Sequence, residues 1–137
     1  LTDKIAVVGL DHVQLTMPPR RERDARRFYA DLLGMREVDK PAELGPRGGC
    51  WFVAPGTAVH LGIDHRFIAA RKAHAAFVVA DLGAARVALT AAGAVVRDDD
   101  SGLPLRRLYT EDPFGNRLEL IDARDAGFTD PAARPRT

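Results

Sequence analysis

A single cysteine, a single tryptophan and 7% aromatic residues in 137 positions close off several protein classes at the outset. Cys50 has no second cysteine to pair with, so an intramolecular disulfide is excluded and a reducing, cytoplasmic setting is expected, with Cys50 as a small buried hydrophobe. Charge of one sign is lacking too: 20 Lys+Arg stand against 19 Asp+Glu, a net charge of +1. Such a chain has no strong positive field for non-specific binding to nucleic acid or an anionic membrane, and neither is expected as a partner. No apolar run approaches the roughly 20 residues that span a bilayer. The longest, Ala73 to Ala80, is interrupted by His74. Leu1-Thr2-Asp3-Lys4 also lacks the basic-then-apolar pattern of a secretory signal.

What is present is a 46% hydrophobic chain with ordinary Gly and Pro content, enough for one packed domain. From Val7 to Met17 the residues alternate as a strand, with Val13, Leu15 and Met17 on one face and His12, Gln14 and Thr16 on the other. Pro18-Pro19 ends it. Ala25, Phe28, Tyr29, Leu32 and Leu33 then form the stripe of a one-sided helix over 21–33, closed by Gly34. Three short strands over 35–40, 49–54 and 57–63 follow, separated by the Pro/Gly-rich segment 41–48 and the Pro55-Gly56 turn. The second half repeats this order. A strand over 73–80 leads to Asp81, a good N-cap for a helix closed by Gly93, and strands are expected over 94–97, 105–110 and 117–122.

The halves are a two-fold internal duplication. Gly34 and Gly93 are 59 positions apart, as are Gly56 and Gly115, and so are His60 and Glu119. His12 and His74 are 62 apart, a difference that a three-residue change in the following loop accounts for. The expected fold is therefore α+β, two βαβββ repeats within one domain over 1–122: repeat 1 about 7–64, repeat 2 about 72–122, and a surface or disordered tail over 123–137.

Each repeat carries a candidate metal ligand in its first strand and another in its last: His12 and His60, then His74 and Glu119. Glu119 interrupts the apolar run Leu118, Leu120, Ile121, where a carboxylate is costly unless paired or metal-bound. Two neutral imidazoles and a carboxylate make a mixed N/O site suited to one divalent ion, Fe2+, Mn2+, Ni2+, Co2+ or Zn2+, with positions left for substrate and water. Gln14 shares the face of His12 and is a candidate to orient a small-molecule substrate. Of Arg106 and Arg107, alternation points one inward, and an inward Arg107 is a candidate clamp for an anionic substrate. Tyr109 is a candidate proton donor or a core residue.

The segments Gly9-Leu10-Asp11-His12-Val13, Phe28-Tyr29-Ala30-Asp31-Leu32-Leu33-Gly34-Met35 and Asp112-Pro113-Phe114-Gly115-Asn116-Arg117-Leu118-Glu119-Leu120-Ile121 together resemble the glyoxalase, bleomycin-resistance and extradiol-dioxygenase superfamily, also called vicinal oxygen chelate. The resemblance covers about residues 7 to 122. It implies paired βαβββ modules forming a curved sheet around a metal cavity, commonly in a homodimer. His12 matches the first-strand ligand, His74 the ligand opening the second module, and Glu119 the closing carboxylate. His60 matches a position where some members have a fourth ligand, usually Glu, and others none. Its expected role is metal ligation or acid/base work beside the metal, and Glu119 is the other acid/base candidate. The resemblance fixes no single reaction. A dioxygenase uses the three-ligand set, an isomerase or lyase the four-ligand set, and a metal-free drug- or metabolite-binding protein of the bleomycin-resistance type is the alternative.

Overall fold

The hydrophobic alternation of each half is realised as one four-stranded sheet. The computed structural model describes residues 3–127. In the first half β1 (Val13–Met17), a helix, β2 (Arg36–Val38), β3 (Cys50–Ala54) and β4 (Thr57–Ile63) form a sheet of order β1-β4-β3-β2. In the second half β5 (Ala75–Val79), a helix, β6 (Val96–Asp98), β7 (Arg107–Glu111) and β8 (Arg117–Asp122) repeat that order as β5-β8-β7-β6. The first strand of each module pairs parallel with the last, and the remaining pairs are antiparallel. This is the α+β fold of two βαβββ modules that the duplication implies. Among the described residues no helix is long and apolar enough to cross a membrane.

The first helix starts as α1 (Glu22–Ala25) and continues without a break as a π-helix over Arg26–Leu32, where Leu33 N donates to Phe28 O at 2.9 Å. Its wider winding still buries Ala25, Phe28 and Tyr29, and Gly34 ends it at φ 70°. The second helix, α2 (Leu82–Ala91), is capped by Asp81, whose carboxylate accepts from Ala84 N at 2.9 Å. The Pro/Gly-rich segment winds as a 3₁₀ helix over Ala42–Arg47. A last 3₁₀ turn, Ala123–Asp125, opens the expected tail, of which 128–137 lie outside the described residues.

One expected strand is shorter than its pattern. The alternation begins at Val7, but only Val13–Met17 pair, because the neighbouring β4 meets them in the register Val13↔Val59 to Met17↔Ile63. Periodicity records which way side chains point, not whether a neighbour exists. Residues 3–12 consequently run unpaired, and Ile5, Val7, Val8 and Leu10 stand 81–98% exposed.

The apolar faces of both sheets join one core, to which Met17, Tyr29, Phe52 and Leu61 contribute from the first module and Leu89, Leu108, Leu118 and Leu120 from the second. A buried polar knot fastens the modules. Asp112 accepts from Tyr29 OH at 2.7 Å and from the backbone N–H groups of Phe114 and Asn116 at 2.9 Å. The Asn116 amide donates to Asp112 at 2.8 Å and across to Thr16 O at 2.8 Å. The turn Asp112 to Asn116 thus sets the start of β8, and with it Glu119.

Candidate functional site

Residues directly opposite each other in a ladder share a face, so the register dictates which side chains meet. In the first sheet His60 pairs with Gln14 on β1 and Trp51 on β3. All three lie on the face away from the core. The His60 ring is sandwiched between the Trp51 indole, 3.8 Å away and parallel to within 3°, and the His12 ring at 4.0 Å and 20°. Partial burial, and then the neighbouring His12, hold the His60 imidazole below its ordinary pKa of 6.5. The missing side chain of Gly62 makes room for Gln14, since a Cβ there would stand 2.1 Å from Gln14 Nε2.

In the second sheet the same logic pairs Glu119 with Tyr109 on β7 and Ala76 on β5. The carboxylate is buried and fully engaged: Oε2 lies 2.9 Å from His74 Nε2, and Oε1 accepts from Arg107 at 3.0 Å. Arg107 also stands 2.9 Å from Asp99, and its hydrogen bonds to Asp99 and Glu119 hold the guanidinium above its usual pKa. Tyr109 meets the His74 ring edge-on at 5.7 Å and carries the Arg117 guanidinium over its face at 4.3 Å.

Of the three ligand-candidate histidines, His12 and His74 are oriented alike. Nδ1 of His12 lies 2.6 Å from Asp11 Oδ2, and Nδ1 of His74 lies 2.7 Å from Lys72 O. An oxygen acceptor at Nδ1 keeps the proton there and presents the Nε2 lone pair, the orientation that metal-binding histidines need. For His74 that lone pair faces the carboxylate of Glu119. Two acceptors at 2.9 Å require a cation between them or a proton on the ring.

The expected site residues therefore fall into two groups. His12, His60 and Gln14 gather on the first sheet; His74, Glu119, Arg107 and Tyr109 gather on the second. Among the described residues no group of three or more His, Cys, Asp or Glu side chains lies close enough to hold a metal ion. A groove of about 330 Å³ runs between the adjacent edges of β1 and β5, with Gln14 and Thr16 on one wall, His74 and Ala75 on the other, and Asn116 and Arg117 at one end. Arg106 points outward to Asp125 at 2.7 Å while Arg107 points in, as alternation requires. The inward guanidinium is occupied by two carboxylates rather than left free for a substrate.

Sequence reasoning passed over Trp51, Asp99 and Arg117. Trp51 was marked by its place between Cys50 and Phe52, both buried, which turns it to the other face. Asp99 had no such signal, sitting in the acidic run 98–100.

A family model described as a Glyoxalase-like domain matches residues 14–121. The chain belongs to that family. A glyoxalase-family protein of Bacillus anthracis is 39% identical, with a TM-score of 0.82 over 88% of this chain and 98% of that one. The fold alone is shared with the genomically encoded fosfomycin resistance protein FosX of Listeria monocytogenes, 16% identical with a TM-score of 0.70 over 85% of this chain and 91% of that one. A glyoxalase/dioxygenase of Nostoc punctiforme stands likewise at 19% and 0.65, over 88% of this chain and 98% of that one. The search of curated proteins finds no match. Membership places this glyoxalase-like chain in a superfamily that includes metalloenzymes acting on small molecules.

Proposed function

We propose that this glyoxalase-like protein is a divalent-metal-dependent enzyme, dioxygenase-like or isomerase/lyase-like, acting on a small substrate that offers two oxygens to the ion. The observation that carries the reading is the His74–Glu119 contact, an imidazole Nε2 facing a buried carboxylate oxygen at 2.9 Å, a donor set that fits Fe2+, Mn2+, Ni2+, Co2+ or Zn2+. His74 and Glu119 would hold the ion together with His12. When bound, the ion supplies Lewis-acid polarisation of the chelated substrate oxygens.

The chain's own groups have separate tasks. Arg107, anchored by Asp99, fixes the Glu119 carboxylate in one orientation. His60, held neutral near pH 7 by its burial between two rings, is ready to accept a proton at its imidazole nitrogen. The Gln14 amide and Tyr109 hydroxyl orient the substrate. Because among the described residues of one chain His12, His60, His74 and Glu119 do not come together as a cluster that could hold an ion, we place the complete site between two copies, His12 and His60 of one meeting His74 and Glu119 of the other. The exposed apolar side chains of Ile5, Val7, Val8 and Leu10 support a homodimer, for which they supply buried area. The single Cys50, buried and without a second cysteine to pair with, suits a cytoplasmic location.

The test is metal content by mass spectrometry on untagged protein reconstituted anaerobically with each of the five ions. About one equivalent per chain is expected in wild type, lost in His74→Ala and Glu119→Ala. Retention in His60→Ala assigns His60 to acid/base work, and loss assigns it to the ion. A wild-type chain that binds none of the ions contradicts the proposal and leaves the metal-free binding protein in its place.

A further inference from the structure

We infer that the substrate of this site carries an oxyanion, a carboxylate or a phosphate, held by Arg117 and Arg71 beside His74. Next to the groove between β1 and β5 lies a second cavity of about 300 Å³, lined by Arg71, Arg97, Glu111, Gly115 and Arg117. Ala70 and Arg117 line both cavities, so the two adjoin at these residues.

The charges in this second cavity do not cancel. Arg97 takes Glu111 at 3.0 Å, although Glu111 is the ladder partner of Arg117. Arg71 and Arg117 are left without a carboxylate within 4.0 Å among the described residues. The Arg117 guanidinium carbon lies 4.3 Å from the centre of the Tyr109 ring, and Arg117 Nε is buried with no hydrogen-bond partner. A buried N–H donor without an acceptor is costly and marks Arg117 as incompletely satisfied, and two guanidiniums that line one cavity without a carboxylate partner are suited to a planar or tetrahedral oxyanion.

Position supplies the size of the ligand. Arg117 and Glu119 sit two residues apart on the same face of β8, which spaces their Cα atoms by about 7 Å. A substrate reaching both carries its anionic group a few bonds from the oxygens offered to the ion. The inference deepens the proposed function and rests on it only for what the rest of the substrate does.

The experiment is isothermal titration calorimetry of the metal-free, full-length chain with benzoate, phenyl phosphate and neutral benzyl alcohol. Saturable binding of at least one anion is expected, with none by the alcohol. Affinity should fall about tenfold or more in both Arg117→Gln and Arg71→Ala. Arg71 is exposed, so its variant reports on binding even where Arg117→Gln disturbs the sheet. Benzoate alone identifies a carboxylate site and phenyl phosphate alone a phosphate site. Absence of anion binding, or anion binding that Arg71→Ala leaves unchanged, overturns the inference. Because no metal is present, anion binding by a chain that takes up no ion would sink the proposed function and leave this inference standing. Metal uptake without anion binding would do the reverse.

Discussion

Deleting one hydroxyl at Tyr29 should loosen the joint between the modules by a measurable amount. Tyr29 is fully buried and donates to Asp112 at 2.7 Å, and Asp112 is only 5% exposed. Burial raises the Asp112 carboxyl above its ordinary range, against the pull of its hydrogen bonds from Asn116, Tyr29 and Phe114. A hydrogen bond to a charged group contributes about 1.5–3 kcal/mol, and Tyr29→Phe removes one while leaving three donors on the carboxylate. For a chain of this length that corresponds to a fall in Tm of about 5–10 °C. Asp112→Ala strands the Tyr29 hydroxyl, the Asn116 amide and two backbone N–H groups, and should cost about twice as much. Urea unfolding followed by Trp51 fluorescence and far-UV circular dichroism reads both variants. A loss under about 0.5 kcal/mol in Tyr29→Phe would refute the assignment of this knot as a structural tie.

Two further outcomes follow from local geometry. Gly49 sits at φ +84°, and a Cβ there would stand 2.1 Å from Leu61 O, so Gly49→Ala should cost at least about 2 kcal/mol by urea unfolding. Gly45→Ala, with nothing within 4 Å, should stay within about 0.5 kcal/mol, and equal costs would contradict the reading of the β3–β4 ladder. In metal-stripped protein the emission of Trp51, stacked on His60 at 3.8 Å, should fall with acidification as the imidazole gains its proton, at a midpoint below 6.5. His60→Ala should abolish that titration, and its persistence would place the proton elsewhere.

Much of this fold was legible because the duplication is written in turn glycines. Gly34 and Gly93 take φ of 70° and 74°, and Gly56 and Gly115 take 68° and 91°, so equivalent positions are held by the same backbone requirement. Strand alternation likewise put His12, Gln14 and Thr16 on one face and required that only one of Arg106 and Arg107 point inward, whereas the placing of His60 beside Gln14 came from the β1–β4 register. What was hidden depends on contacts between distant segments. The Tyr29–Asp112 bond joins residues 83 apart, and no local pattern announces it. The commitment of Arg107 to Asp99 as well as Glu119 is of the same kind. The unpaired arm over 3–12 shows the limit of periodicity, which gives the direction of a side chain and leaves the neighbouring strand unspecified.

The central claim, a metal site shared between two copies, is tested most directly by metal stoichiometry in a mixed dimer. His12→Ala and Glu119→Ala chains, each expected to have lost its ion as a homodimer, are co-expressed with different tags and the mixed species is isolated. A shared site leaves one intact His12 half facing one intact Glu119 half, so about one ion per mixed dimer should return. A mixed dimer that binds none, beside a wild type that binds a full complement, would contradict a site built from two chains and confine it to one.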